Sequence, residues 1–229
     1  MNRIVCVLFL IFVSVPLADA RPENSITVFG EYPVVEELGD EAFQKEDESG
    51  TTRLIEYGES GGYRRKAFRE ALHFLDANVF GYTFVYKPGS VLMKTEEVFE
   101  VDLRGNVGDE NVYQAGEGVN MNIYRVKLEF PVTPSVQRWH KAFMSNTIRH
   151  TQSEGTSEFF TGWEGRGDAL RDALRNLVLA AAKRELSSKP LLLRGDILLK
   201  GNPGFSVGAG RHYCRISGYV NFVEVITYD

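Results

Sequence analysis

Apolar and polar positions follow several distinct patterns along this chain, and each marks a different kind of element. From Ile4 to Leu17 the run is almost wholly apolar, led by Met1-Asn2-Arg3 and closed by Ala18-Asp19-Ala20. A basic start, an apolar core of this length and a small-x-small end form a cleavable export signal, with the cut expected between Ala20 and Arg21. The core is shorter than the roughly 20 residues that a permanent membrane helix needs. No cysteine follows the cut, so a lipid-anchored form is not expected.

Beyond the signal, apolar residues recur at intervals of three and four in two places. Leu170, Ala173, Leu174, Leu177, Val178, Ala181 and Ala182 form one wide stripe, and Ala67, Phe68, Ala71, Leu72 and Leu75 form another. Both patterns predict amphipathic helices, with alanines that allow close approach to a sheet. The two stripes also match each other. Ala67-Phe68-Arg69-Glu70-Ala71-Leu72 stands 102 positions before Ala169-Leu170-Arg171-Asp172-Ala173-Leu174, and the same offset carries Leu75 onto Leu177 and Lys87-Pro88 onto Lys189-Pro190. An ungapped register over that distance indicates an internal repeat.

Each copy starts with a β-like run, Arg53–Tyr57 in the first and Glu158–Thr161 in the second. A glycine turn follows, Gly58–Gly62 or Gly162–Gly167, and then the helix. After each Lys-Pro the pattern becomes strand-like: Val98–Leu103 and Ile123–Phe130 in copy one, Leu191–Leu199 and Tyr213–Val225 in copy two. Alternation within Tyr124–Phe130 points to an antiparallel sheet with one wet face. The expected fold class is α+β: two related β-helix-β-β units, each an amphipathic helix packed on an antiparallel sheet. Such units leave strand edges open, so the copies are expected to pair with each other or with neighbouring molecules.

The expected layout has a signal peptide over 1–20 and an N-terminal strand with an acidic arm over 21–50. The first α/β repeat covers 51–132, a helical linker 133–157 and the second repeat 158–229. Ile26–Phe29 is the strand of the arm. Thr133-Pro134 starts the linker helix, whose stripe is Val136, Trp139, Phe143 and Met144, and Gln152–Ser157 reads as polar linker.

Charge alters this picture in two ways. The arm carries Glu36, Glu37, Asp40, Glu41, Glu46, Asp47 and Glu48 against Lys45 alone, a run that repels itself and is expected to stay solvated. Its spacing does not fit a helix-loop-helix calcium site. The chain as a whole has a net charge of −5, and its densest basic run, Arg64-Arg65-Lys66, reads as a solvated helix face. Nucleic acid is therefore not an expected partner. Cleavage leaves Cys214 as the sole cysteine, in an apolar-alternating run. It reads as a buried thiol, with an intermolecular disulfide as the alternative. An exported chain that lacks internal disulfides suits a bacterial periplasm.

Candidate chemistry is sparse. Gly58-Glu59-Ser60-Gly61-Gly62 matches G-x-S-x-G between a strand and a helix, the setting of a nucleophile elbow. The second copy has Trp163-Glu164-Gly165-Arg166 at its turn, without a serine, and the chain lacks the βαβ series of an α/β-hydrolase. The same residues also make a plain tight turn with a helix cap. His73, His140, His150 and His212 show no ligand spacing, so no metal is expected. Gly201–Gly204 and Gly208–Gly210 lack the following helix and lysine of a phosphate loop and read as hairpin turns. No catalytic, metal-binding or cofactor-binding residue is expected.

The two helices and their flanks, Tyr57-Gly58 with Ala67–Leu72 and the matching Ala169–Leu174, resemble the N-terminal domain of FlgT-like periplasmic flagellar proteins. The resemblance covers about half of the mature chain and rests on a strand, a glycine turn and an A-x-R-x-A-L helix. It implies a mixed α/β domain in a ring or collar around the motor, and no catalytic residues. This chain stops after two copies, whereas that family continues into other domains. The expected function is that of a periplasmic, non-catalytic structural or assembly protein that binds other envelope or flagellar proteins or further copies of itself. The alternative is a serine hydrolase using Ser60.

Overall fold

The computed structural model describes residues 24–34, 62–90, 94–145 and 148–227. The expected turn at Ser60, the expected strand Arg53–Tyr57, the acidic arm expected beyond Val34 and the expected export signal fall on residues outside those described. The described chain is α+β, with three α-helices and nine strands in two antiparallel sheets.

The first sheet has three strands in the order β1-β5-β4: β1 is Ser25–Pro33, β4 Tyr113–Asn120 and β5 Ile123–Pro131. Helix α1, Tyr63–Val79, packs on β1 and β5. The second sheet runs β3-β2-β7-β9-β6, with β8 also paired to β9. Here β2 is Tyr82–Lys87, β3 Val98–Leu103, β6 His150–Glu158, β7 Pro190–Leu199, β8 Gly204–Gly208 and β9 Arg211–Thr227. Helix α3, Gly165–Glu185, packs on β6 and β9.

Every apolar residue of the stripe predicted for α3 is buried, and Leu170, Leu174 and Leu177 completely so. Each such leucine contributes about 1.5–3 kcal/mol. Helix α1 departs from a simple stripe. From His73 to Val79 every residue is buried, including Asp76 and Asn78, because this half packs on the first sheet and also approaches β2 and β7 of the second.

The repeat has a structural counterpart at the helix–strand crossing. A Cβ added at Gly30 of β1 would overlap Ala67 O and Ala71 N, and one at Gly155 of β6 would overlap Ala169 O and Ala173 N. The alanine pairs are the ones that the 102-residue offset relates. In each copy the helix backbone rests on a strand glycine, which leaves no room for a side chain. The helix acid between the alanines then accepts the amide of the residue after that glycine. Glu31 N–H donates to Glu70 over 2.6 Å, and Thr156 N–H donates to Asp172 over 2.9 Å.

This crossing moves the strand that opens each copy. In the second copy it is β6, inside the segment expected as polar linker, while the expected run Glu158–Thr161 ends β6 and enters a 3-10 turn over Phe159–Glu164. In the first copy the matching strand is β1, which the sequence reading set apart in the arm. The polar residues of β6 are tolerated because only one side of it faces the core: Thr151 and Gly155 are buried while Gln152 and Glu154 are exposed.

The two copies pair with each other. Strand β2 of the first lies antiparallel to β7 of the second, with Tyr82 opposite Ile197 and Tyr86 opposite Leu193. Helix α2, Pro134–Phe143, forms where expected; Thr133 caps it by accepting Val136 N–H at 3.4 Å, and Val136 and Phe143 are buried.

Candidate functional site

Three features bear on function: a buried charged clamp between the copies, a pair of buried titratable groups beside it, and the edges of the two sheets.

The clamp centres on Arg166, at the start of α3. Its Nε donates to Glu70 Oε1 at 3.0 Å, and its Nη1 lies 3.5 Å from Glu31 Oε2. The Glu70 side chain is fully buried and that of Arg166 is 7% exposed. Trp163 and Phe205 each lie against the guanidinium, 4.4 and 3.9 Å from their ring centres. Trp163 Nε1 also donates to Glu31 O at 3.2 Å. Residues of the second copy thus grip β1 and α1 of the first. A buried ion pair of this kind adds little net stability, because the cost of desolvating both charges offsets their attraction. The repeat offset did not reveal it, because the arginine 102 residues earlier, Arg64, is exposed and lies over the Tyr124 ring instead of entering a buried pair.

Burial dominates the titratable groups nearby. His73 is held down to about 4, and its Nε2 lies 2.9 Å from the Tyr82 hydroxyl. Asp76 is pushed up to about 6, while its Oδ1 accepts Val107 N–H at 2.7 Å. His212 is likewise lowered by burial and stacks on Phe159 at 5.3 Å. Cys214 is fully buried, and burial raises its thiol. His140 lies on α2 with Nε2 3.3 Å from Val79 O, and His150 is an exposed residue of β6 facing the Tyr219 ring. The histidines are not brought together, and no group of three His, Cys, Asp or Glu suited to a metal occurs among the described residues.

Unpaired strand edges are the usual points at which one chain adds to another, so natural sheets cover them or break them up. Most edges here are covered. On β1, Phe29 N–H donates to Asn202 Oδ1 at 2.8 Å and Glu31 N–H to Glu70, while Trp163 takes the Glu31 carbonyl. On β6, Asp172 accepts Thr156 N–H and Asn176 Nδ2 donates to Glu154 O at 2.8 Å. Edge strand β3 turns the acids Glu100 and Asp102 to solvent.

Besides the short outer edge of β8, which pairs only with β9, two edges remain open among the described residues. The first is β4, paired only with β5. Its eight residues are exposed apart from the half-buried Ala115. Gly116 and Gly118 stand opposite Lys127 and Arg125 of β5, and a Cβ at either glycine would meet nothing within 4 Å. Bare backbone here forms the floor of a cleft of about 410 Å³, lined also by Phe29, Val119 and Met121. Arg125 pairs with Glu31 and lies over Phe29, and Lys127 pairs with Glu129. Below the strand, the Tyr124 hydroxyl donates to Glu117 and holds that carboxyl below its usual range.

The second open edge is the end of β9. β6 reaches only Tyr219, so Val220–Thr227 is paired on one side, by β7. The ladder skips Val223, which is 70% exposed, and Val225, Ile226 and neighbouring Leu191 are also exposed. Sequence reasoning located β9 but missed β4. The signal available was glycine at alternate positions, Gly116 and Gly118, in a run otherwise too polar to read as a strand.

A protein-family model, that of an uncharacterised family, matches residues 20–228. No curated protein and no solved structure matches the chain. Among the described residues, no helix is long and apolar enough to cross a membrane.

Proposed function

The chain belongs to this uncharacterised family over nearly its whole length, and we propose that it is an exported, non-catalytic assembly protein of the bacterial periplasm. The observation that carries this reading is the open β4 edge above its glycine-floored cleft. An extended segment added there gains main-chain hydrogen bonds, and the cleft takes its alternate side chains. The export signal over residues 1–20 supports the compartment. The likeness of Ala67–Leu72 and Ala169–Leu174 to FlgT-like proteins supports a ring or collar at the flagellar motor as its setting.

The experiment is removal of the gene from its source bacterium, followed by electron cryotomography of the envelope and a motility assay. Lost density with impaired swimming supports the motor setting, whereas normal motors with normal swimming remove it. Sequencing the mature N-terminus tests export directly, with Arg21 expected first. The competing reading, a serine hydrolase using Ser60, requires labelling by a fluorophosphonate probe that disappears in Ser60→Ala.

A further inference from the structure

The two open edges differ in character, and each supplies what the other lacks. Strand β4 has bare backbone at Gly116 and Gly118, flanked by the cations Arg125 and Lys127. The end of β9 contains no glycine: Val220-Asn221-Phe222-Val223-Glu224-Val225-Ile226-Thr227 is rich in β-branched residues, with one charged residue, Glu224. Strand glycines at an edge are stabilised when large side chains of an adjoining strand cover them. Glu224 is 43% exposed in its pair with Arg194, and Arg125 is 62% exposed. Although each is already paired, Glu224 with Arg194 and Arg125 with Glu31, both side chains are partly exposed, so an anion and a cation can exchange partners across the junction.

Resting on the assembly reading above, we propose that the chain associates head to tail with further copies of itself, the β9 end of one copy adding as a fourth strand to β4 of the next. Like-with-like pairing is poorer on both counts. Two β4 edges set glycine against glycine, with a Glu117 on each side. Two β9 ends would bring together two copies of Glu224 and leave the glycine floor uncovered. The two edges belong to different sheets, so each copy keeps one edge free after using the other. Such a heterologous contact propagates into rings or linear chains and does not stop at a dimer.

The structure also supplies variants that block one edge without harming the fold. Gly118 has open space above it, and Val223 is largely exposed. Lysine at either position therefore leaves the core intact while placing a charge in the junction. The test measures the mass of the exported chain, residues 21–229, by light scattering across a concentration series. Species larger than a dimer are expected to grow with concentration, while Gly118→Lys and Val223→Lys are each monomeric alone with unchanged melting temperatures. Mixed one to one, the two variants are expected to form a dimer and nothing larger, because each retains the edge that the other has lost. A wild-type chain that stays monomeric, a variant that still self-associates, or a mixture that stays monomeric would each overturn the proposal. The assembly reading is judged separately: a monomeric chain whose loss still removes envelope density keeps that reading and rejects this contact.

Discussion

Arg166 and Glu70 join the two copies through a buried hydrogen-bonded ion pair, with 3.0 Å between Nε and Oε1. Glu70 also serves its own copy by accepting Glu31 N–H, so one carboxylate ties α1 to β1 and both to α3. Removing the cation leaves a buried, uncompensated carboxylate, which typically costs about 3–5 kcal/mol. Arg166→Met is expected to destabilise the fold by that amount in urea unfolding. Adding Glu70→Gln is expected to restore part of the loss, since glutamine still accepts the Glu31 amide without its charge. A loss below about 1 kcal/mol would mean the clamp is not holding the copies together.

The glycines divide into two groups that a stability scan should separate. Gly30→Ala and Gly155→Ala each force a methyl into the backbone of a crossing helix, and overpacking of this kind costs about 1–3 kcal/mol. Gly116→Ala and Gly118→Ala meet open space and should be neutral or slightly stabilising, because alanine loses less chain entropy than glycine. Thermal melts of the four variants check the division.

His73 and Asp76 give stability opposite slopes with pH. His73 is held near 4 in the fold, against about 6.5 unfolded, so its contribution is full above pH 6.5 and is lost as the pH falls toward 4. Asp76 is raised to about 6, against about 3.9 unfolded, so its contribution is full below pH 4 and is lost as the pH rises through 6. His212, also lowered by burial, acts in the direction of His73. Asp76→Asn keeps an acceptor for Val107 N–H and removes one slope. Its unfolding free energy should therefore climb more steeply than wild type between pH 4 and 6, by up to about 1.4 kcal/mol per pH unit. His73→Gln should shift the balance the other way. Urea titrations at several pH values decide the signs.

Cys214 is fully buried with a raised thiol, so a thiol-reactive dye should label the native chain far more slowly than the chain in urea. Rapid native labelling, or a disulfide-linked dimer on a non-reducing gel, would reopen the intermolecular alternative.

Reading the sequence located what depends on local periodicity. The α3 stripe from Leu170 to Ala182, the capped start of α2 at Thr133-Pro134, the strand runs Val98–Leu103 and Ile123–Phe130, and the 102-residue repeat all reflect one face of an element meeting a core. Such a face imposes its spacing whatever the partner is. What the spacing left open was the identity of the partner. Polar β6 is a strand because β9 pairs along it and α3 covers it, and neither contact is encoded within His150–Glu158. Gly30 and Gly155 match across the copies only when each helix is laid on its strand, since their separation in sequence differs from the helix offset. The Arg166–Glu70 clamp spans 96 residues, and the arginine at the matching position of the other copy, Arg64, is exposed. The open edges of β4 and β9 are likewise properties of the assembled sheets, because an edge exists only where pairing stops. Periodicity determined the elements and their repeat; long-range pairing, which no local pattern carries, decided which strands are covered and which remain available.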